Sequence, residues 1–134
     1  GQLGIEALSR GAKRCTFVDS AQRSVKITTE NVKATGFEQQ ASILNTDSLG
    51  YLKTCRLTFD LAFLDPPYGK GTLDEALPLL EKHMSDRGIV VCEHEKGLVL
   101  PEEYGRLKKS KTYKYGKIEV TVFRIPFGDE NDDE

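Results

Sequence analysis

Long apolar runs are missing from this 134-residue chain: strand-like stretches such as Leu61 to Leu64 and Ile89 to Cys92 are about four residues long. Roughly 20 are needed to span a bilayer, so a transmembrane helix is excluded. Cysteine is scarce as well. Cys15, Cys55 and Cys92 are odd in number, widely spaced and free of a C-x-x-C pair, which argues against a disulfide framework or a zinc site and for a reduced, cytoplasmic setting. The start, Gly1-Gln2-Leu3-Gly4, has neither an initiator methionine nor a basic stretch followed by an apolar one. It reads as no signal peptide and no natural beginning, and a preceding segment is expected. Repeats and low-complexity tracts are absent, and 12 glycines with 5 prolines exclude collagen-like and disordered classes.

Net charge is also small, −2, but five of the 21 acids lie in the last six residues. Residues 1–128 carry 19 basic and 16 acidic side chains, a net of +3. The balance predicts a mildly basic domain over 1–127 and an acidic, disordered tail over 128–134, so an anionic partner is compatible with the body of the chain.

Helical and strand-like stretches alternate. Leu3 to Arg10 contains good helix formers and stops at Gly11; Arg14 to Val18 reads as a short buried strand. Ser20 is placed to cap a helix whose apolar positions Ala21, Val25, Thr28, Thr29 and Val32 share a face before Gly36 ends it. Ala41 to Leu44 is a weaker strand, Ser48 to Cys55 a short helix, and Phe59 to Leu64 a strand apolar enough to be buried on both faces. Thr72-Leu73-Asp74-Glu75 has capping-box form, followed by Ala76, Leu77, Leu80 and Met84 at helical spacing, with Pro78 expected to kink that helix or move its start. A turn at Asp86-Arg87-Gly88 precedes the strand Ile89 to Glu93, and Leu107 to Tyr115 and Ile118 to Ile125 form a hairpin about Gly116-Lys117. This alternation predicts an α/β fold, a mostly parallel sheet with the terminal hairpin adding an antiparallel strand at one edge.

Ligands of such sheets bind beyond the carboxyl ends of the strands. Asp19, Asp47 and Asp65 follow three successive strands there, a place suited to a nucleotide-like ligand. An acid at such a strand end, after a glycine-rich turn to which Gly4 and Gly1 would belong, can accept hydrogen bonds from ribose hydroxyls. Equally, Asp19 with Ser20, and Asp47, can serve as helix caps.

Asp65-Pro66-Pro67-Tyr68 is more specific. With proline near 5% of residues, an adjacent pair is expected at about 0.25% of positions, before an acid and an aromatic are required on either side. Two prolines after a buried strand remove two backbone donors and leave a rigid loop of carbonyl acceptors. A carboxylate plus a prolyl carbonyl suits an exocyclic amine, and Tyr68 could stack on an extruded base for ~1–3 kcal/mol. The competing assignment is an ordinary turn with Tyr68 as a packing residue.

In Gly1-Gln2-Leu3-Gly4-Ile5-Glu6-Ala7-Leu8-Ser9-Arg10-Gly11-Ala12, Phe17-Val18-Asp19, Asn45-Thr46-Asp47 and Phe63 to Tyr68, the chain resembles the bacterial small-subunit ribosomal RNA guanine-N2 methyltransferases, the RsmD family, over nearly all of residues 1–125. That resemblance implies the Rossmann-like class I methyltransferase fold, with its central first strand and opening glycines lying before residue 1. It implies S-adenosylmethionine as cofactor, held by Gly1 and Gly4 at the end of the cofactor loop, by Asp19 and Ser20 at the ribose, by Asp47 and Ser48 at the adenine, and by Asp65. It further implies catalysis by Asp65, Pro66, Pro67 and Tyr68, a ribosomal RNA or small-subunit particle as partner, no metal, and a monomer as default assembly. In the implied reaction the amine displaces the sulfonium methyl in line while Asp65 steadies the charge developing on nitrogen.

Arg106, Lys108, Lys109, Lys111, Lys114 and Lys117, interleaved with Tyr113 and Tyr115, could grip an RNA backbone, or could guard an exposed strand edge against aggregation. Lys70, just after the proline loop, is the better single candidate for a phosphate contact. His83 and His94 lack a partner pattern and read as surface or core residues. Two alternatives remain at this level: an adenine-N6 or cytosine-N4 DNA methyltransferase, and a non-catalytic nucleic-acid-binding module or inert fragment.

Overall fold

The first half of the chain is a helix–strand alternation closed by glycines. In the computed structural model, which describes residues 2–65 and 72–126, it comprises α1 (Gln2–Ser9), β1 (Cys15–Asp19), α2 (Gln22–Thr35), a 3-10 turn at Glu38–Gln40, β2 (Ala41–Asn45) and α3 (Ser48–Thr54). Gly36 ends α2 in the left-handed region at φ +79°, and the Phe37 N–H donates back to the Val32 carbonyl at 3.1 Å. A side chain with a Cβ would be strained there. The expected Ser20 cap does not form: the N-cap of α2 is Ala21, which makes no side-chain cap bond. Strands β1 and β2 run parallel, Cys15 opposite Ala41 and Asp19 opposite Asn45. Parallel neighbours need a long crossover, which α2 supplies while burying Thr28 and Val32.

The chain divides after Thr54 into two compact units, Gly1–Thr54 and Cys55–Glu134, where the sequence suggested one domain. The second holds β3 (Phe59–Leu64), α4 (Thr72–Glu81), β4 (Met84–Glu95), β5 (Glu103–Tyr104), β6 (Leu107–Tyr115) and β7 (Ile118–Arg124). Its strand order is β3-β4-β7-β6-β5, with β3 and β4 parallel and the rest antiparallel. The hairpin thus contributes more than one edge strand: β7, which buries Glu119, Thr121 and Phe123, inserts beside β4, and lysine-rich β6 lies outside it. Because β5 covers only Tyr104 and Glu103 opposite Leu107 and Lys108, β6 is the sheet edge along most of its length.

Two local expectations change. Met84 begins β4 instead of ending α4, and Asp86 to Gly88 form a bulge within β4: Phe59 pairs with Met84, yet Leu61 pairs with Ile89. Pro78 sits inside α4 without ending it. That helix buries Leu73, Ala76, Leu77 and Leu80, and the core of this unit continues through Val90, Cys92, Leu107 and Phe123. Each such large side chain contributes roughly 1.5–3 kcal/mol of burial free energy. The Tyr104 ring meets Phe123 edge-on at 5.6 Å between centroids.

His94 is a core residue. Its Nδ1 lies 3.0 Å from the Glu95 carbonyl, which can only accept, so Nδ1 carries the proton. Nε2 therefore accepts from the Thr121 hydroxyl at 2.7 Å, and the Thr112 hydroxyl lies 3.3 Å behind it. All of the bonding capacity of the ring is satisfied within the protein.

Candidate active site

Parallel pairing brings the carboxyl ends of β1 and β2 to one rim of the first unit. Asp19 is exposed there, and its Oδ1 accepts the Ala21 N–H at 2.8 Å. Its main-chain carbonyl accepts the Thr46 N–H at 3.0 Å. Asn45, in the amide orientation that satisfies both its ends, donates to the Asp19 and Ser20 carbonyls, each at 3.1 Å. Asp47 caps α3: its Oδ2 accepts the Gly50 N–H at 2.9 Å and its carbonyl the Tyr51 N–H, also at 2.9 Å. Ser48 opens that helix, half-buried. Both aspartates are thus held by backbone N–H groups with their carboxylates still exposed, an arrangement in which capping and ligand contact are compatible.

Gly4 lies within α1, not in a turn. A Cβ there would meet the Phe17 ring and come within 2.8 Å of Cys15 Sγ. Its bareness lets α1 lie close on β1, which is a packing role. Gly1 lies outside the described residues.

In the second unit β3 delivers Asp65, exposed, to the carboxyl end of the parallel pair β3–β4. Pro66, Pro67, Tyr68 and Lys70 lie outside the described residues. Leu64 pairs with Cys92, so the next residues on the two strands, Asp65 and Glu93, are neighbours. Their side chains are hydrogen-bonded, which with partial burial and the Asp65 charge raises the Glu93 carboxyl above its usual range. Sequence reasoning missed Glu93. The signal was present: an acid closes the apolar run Ile89 to Cys92 as Asp65 closes Phe59 to Leu64.

The basic run is partly consumed internally. Arg106 binds Glu81 Oε2 at 2.7 Å and the Glu81 and Met84 carbonyls at 2.7 and 2.9 Å. Lys108 pairs with Glu103, holding that carboxyl below its usual range. Lys109, its side chain only 18% exposed and 3.7 Å from Glu102, donates to the Leu100 carbonyl at 2.6 Å. These three therefore fasten the β5–β6 turn to the unit. Lys111 and Lys114 are exposed on β6, beside the stacked rings of Tyr113 and Tyr115, 6.4 Å apart.

Among the described residues there is no group of three metal-ligating side chains, and no helix is long and apolar enough to cross a membrane.

Comparison with known proteins gives consistent results. The family described as Conserved hypothetical protein 95 matches residues 1–124. YlbH of Bacillus subtilis is 32% identical over 129 residues, covering 92% of the chain and 70% of the relative. The ribosomal RNA small subunit methyltransferase D of Haemophilus influenzae is 33% identical over 121 residues, covering 84% of the chain but 62% of the relative. Among solved structures, a conserved hypothetical protein of Streptococcus pyogenes superimposes with a TM-score of 0.87 at 32% identity, covering 92% of the chain and 79% of that structure. At the level of fold alone, an RNA methyltransferase of Salinibacter ruber in complex with S-adenosyl-L-homocysteine matches with a TM-score of 0.69 at 18% identity, covering 94% and 74% of the two chains.

Proposed function

Because the chain belongs to the Conserved hypothetical protein 95 family, that of the small-subunit ribosomal RNA methyltransferases D, we propose that it is the greater part of an S-adenosylmethionine-dependent methyltransferase. Its substrate is ribosomal RNA and its target the exocyclic N2 amine of a guanine in the small subunit. The observation that carries this reading is the exposed Asp65 closing a buried parallel strand directly before Pro66-Pro67-Tyr68.

The residues of the first unit fit the cofactor in chemistry. Asp19 and Asp47 offer exposed carboxylates anchored by backbone donors, suited to ribose hydroxyls and to an adenine edge, with Ser20 and Ser48 beside them. Gly4 is occupied in packing, so the phosphate-free, amino-acid end of the cofactor falls to residues nearer Gly1. S-adenosylmethionine, when bound, supplies a methyl group on a positively charged sulfur. Asp65 accepts a hydrogen bond from the target amine, steadies the positive charge that grows on nitrogen as the N–C bond forms, and takes the proton released. Positioning of this kind contributes several kcal/mol of barrier lowering. Pro66 and Pro67 add carbonyl acceptors for the second amine hydrogen, and Tyr68 stacks on the base. Lys70, Lys111 and Lys114 serve the RNA backbone; Lys108 and Lys109, held in ion pairs, contribute less.

The test is methyl transfer by the full-length protein from radiolabelled S-adenosylmethionine to small-subunit ribosomal particles, free small-subunit RNA and duplex DNA, followed by nucleoside analysis. Label in N2-methylguanosine is expected, with Asp65→Ala losing at least about 100-fold in turnover and little in cofactor affinity by calorimetry. Label in N6-methyladenine or N4-methylcytosine of DNA would reassign the substrate, and transfer to none of the three would overturn the reading.

A further inference from the structure

Two carboxyl groups joined side chain to side chain cannot both be ionised, since neither would then have a hydrogen to donate. At the end of β3 and β4 the parallel register sets Asp65 and Glu93 next to each other, and their side chains share such a bond. Glu93 is half-buried and Asp65 exposed. The partly buried member is the better holder of the shared proton, and the exposed one the better ionised acceptor. The direction of the Glu93 shift agrees, its first cause being the bond to Asp65.

The surroundings add no strong countercharge. On the same side of the sheet as Glu93 stand Asp65 on β3 and Glu95 on β4 itself. Opposite Glu93 on β7 is Val120, and beyond it on β6 are Tyr113 opposite Val120 and Lys111 opposite Val122. The nearest cross-strand neighbour on β7 is apolar, so the closest titratable neighbours of Glu93 are carboxyls, and a second negative charge there is unfavourable. The strand itself is held firmly: His94, the next residue, is locked to Thr121 in the core.

We propose that Glu93 is a positioning residue for methyl transfer: as a carboxylic acid it donates to one oxygen of Asp65 and orients the other oxygen toward the target amine. This rests on the role of Asp65 given above. Glu93 touches no substrate. Its proton stays between the two carboxyls, while the amine proton goes to the outward oxygen of Asp65, so the charge on the pair changes only there. Ionisation of Glu93 removes the donor, and Asp65 is then free to turn.

Three measurements on the full-length protein test this. Carboxyl 13C NMR of the wild type should give a Glu93 titration midpoint above the ordinary range, returning to it in Asp65→Asn; an unchanged midpoint would overturn the pairing whether or not the enzyme is active. In turnover assays Glu93→Ala should lower kcat by about 10- to 100-fold, the scale of a misoriented catalytic group, with KM for S-adenosylmethionine unchanged and thermal unfolding near wild type. Glu93→Gln, which keeps a donor at every pH, should restore most of kcat and abolish the fall in kcat that accompanies Glu93 ionisation in the wild type. Full activity of Glu93→Ala, or identical pH profiles for Glu93→Gln and wild type, would overturn the inference. Absence of transfer by the wild type itself would count against the methyltransferase reading and leave the NMR result to decide the pair.

Discussion

Thr121→Val should be among the most damaging single-atom-scale changes in this protein. Thr121 and His94 are each 2% exposed, and the hydroxyl supplies the one donor that Nε2 accepts at 2.7 Å. Nδ1 is committed as a donor to the Glu95 carbonyl at 3.0 Å, so the ring cannot switch tautomer without orphaning that carbonyl contact instead. Valine has the shape of threonine, so no cavity forms and the cost is that of a buried acceptor left without a partner, about 1–3 kcal/mol. Two kcal/mol corresponds to roughly a 30-fold shift in the folding equilibrium and, in a chain of this size, to about 5–10 °C in Tm. Urea unfolding followed by circular dichroism measures it: the midpoint should fall with the m-value unchanged. Replacing both partners, His94→Leu with Thr121→Val, should recover most of the loss, because no polar group then remains unpaired. A single variant within about 0.5 kcal/mol of wild type would refute the assigned donor–acceptor order.

Other positions separate packing from chemistry. Gly4→Ala gains about 1 kcal/mol of helix propensity but drives a methyl to within 2.8 Å of Cys15 Sγ and against Phe17, an overpacking of about 1–3 kcal/mol; we expect net destabilisation in a denaturant melt, and a stabilised variant would mean that α1 does not lie tightly on β1. Asp47→Ala should cost about 1 kcal/mol through loss of the α3 cap, with Asp47→Asn close to wild type, read in the same assay. Cys92 is fully buried and its thiol is pushed up to about 12 by desolvation. The folded state therefore holds a proton that the unfolded thiol loses near its ordinary value, so stability is intact below about pH 9 and declines between there and 12, by up to about 1.4 kcal/mol per pH unit. Cys92→Val should flatten that alkaline slope, and Cys92 should react with a maleimide far more slowly than Cys55 in the native protein.

Much of the architecture was legible locally. Phe59 to Leu64 is apolar throughout and forms β3 with those bounds; Gly36 ends α2 and Gly116, at φ +59°, turns the hairpin. These signals are short-range: period, propensity and the conformations only glycine adopts freely. Asp65 was legible for the same reason, as an acid at the end of an unmistakable strand followed by two prolines. The bulge at Asp86 to Gly88 was not, because a turn and a bulge use the same residues and only pairing with β3 distinguishes them.

By itself, then, the sequence determined the order of helices and strands, the strand ends at which Asp19, Asp47 and Asp65 fall, and a motif suited to an amine. Tertiary structure decided the rest. It put β7 between β4 and β6, spent Arg106, Lys108 and Lys109 on the chain's own acceptors, set Gly4 against Phe17 and placed Glu93 beside Asp65. The physical reason is separation along the chain. Asp65 and Glu93 meet only because two parallel strands, joined through α4, settle into one register, and register is a property of the whole core.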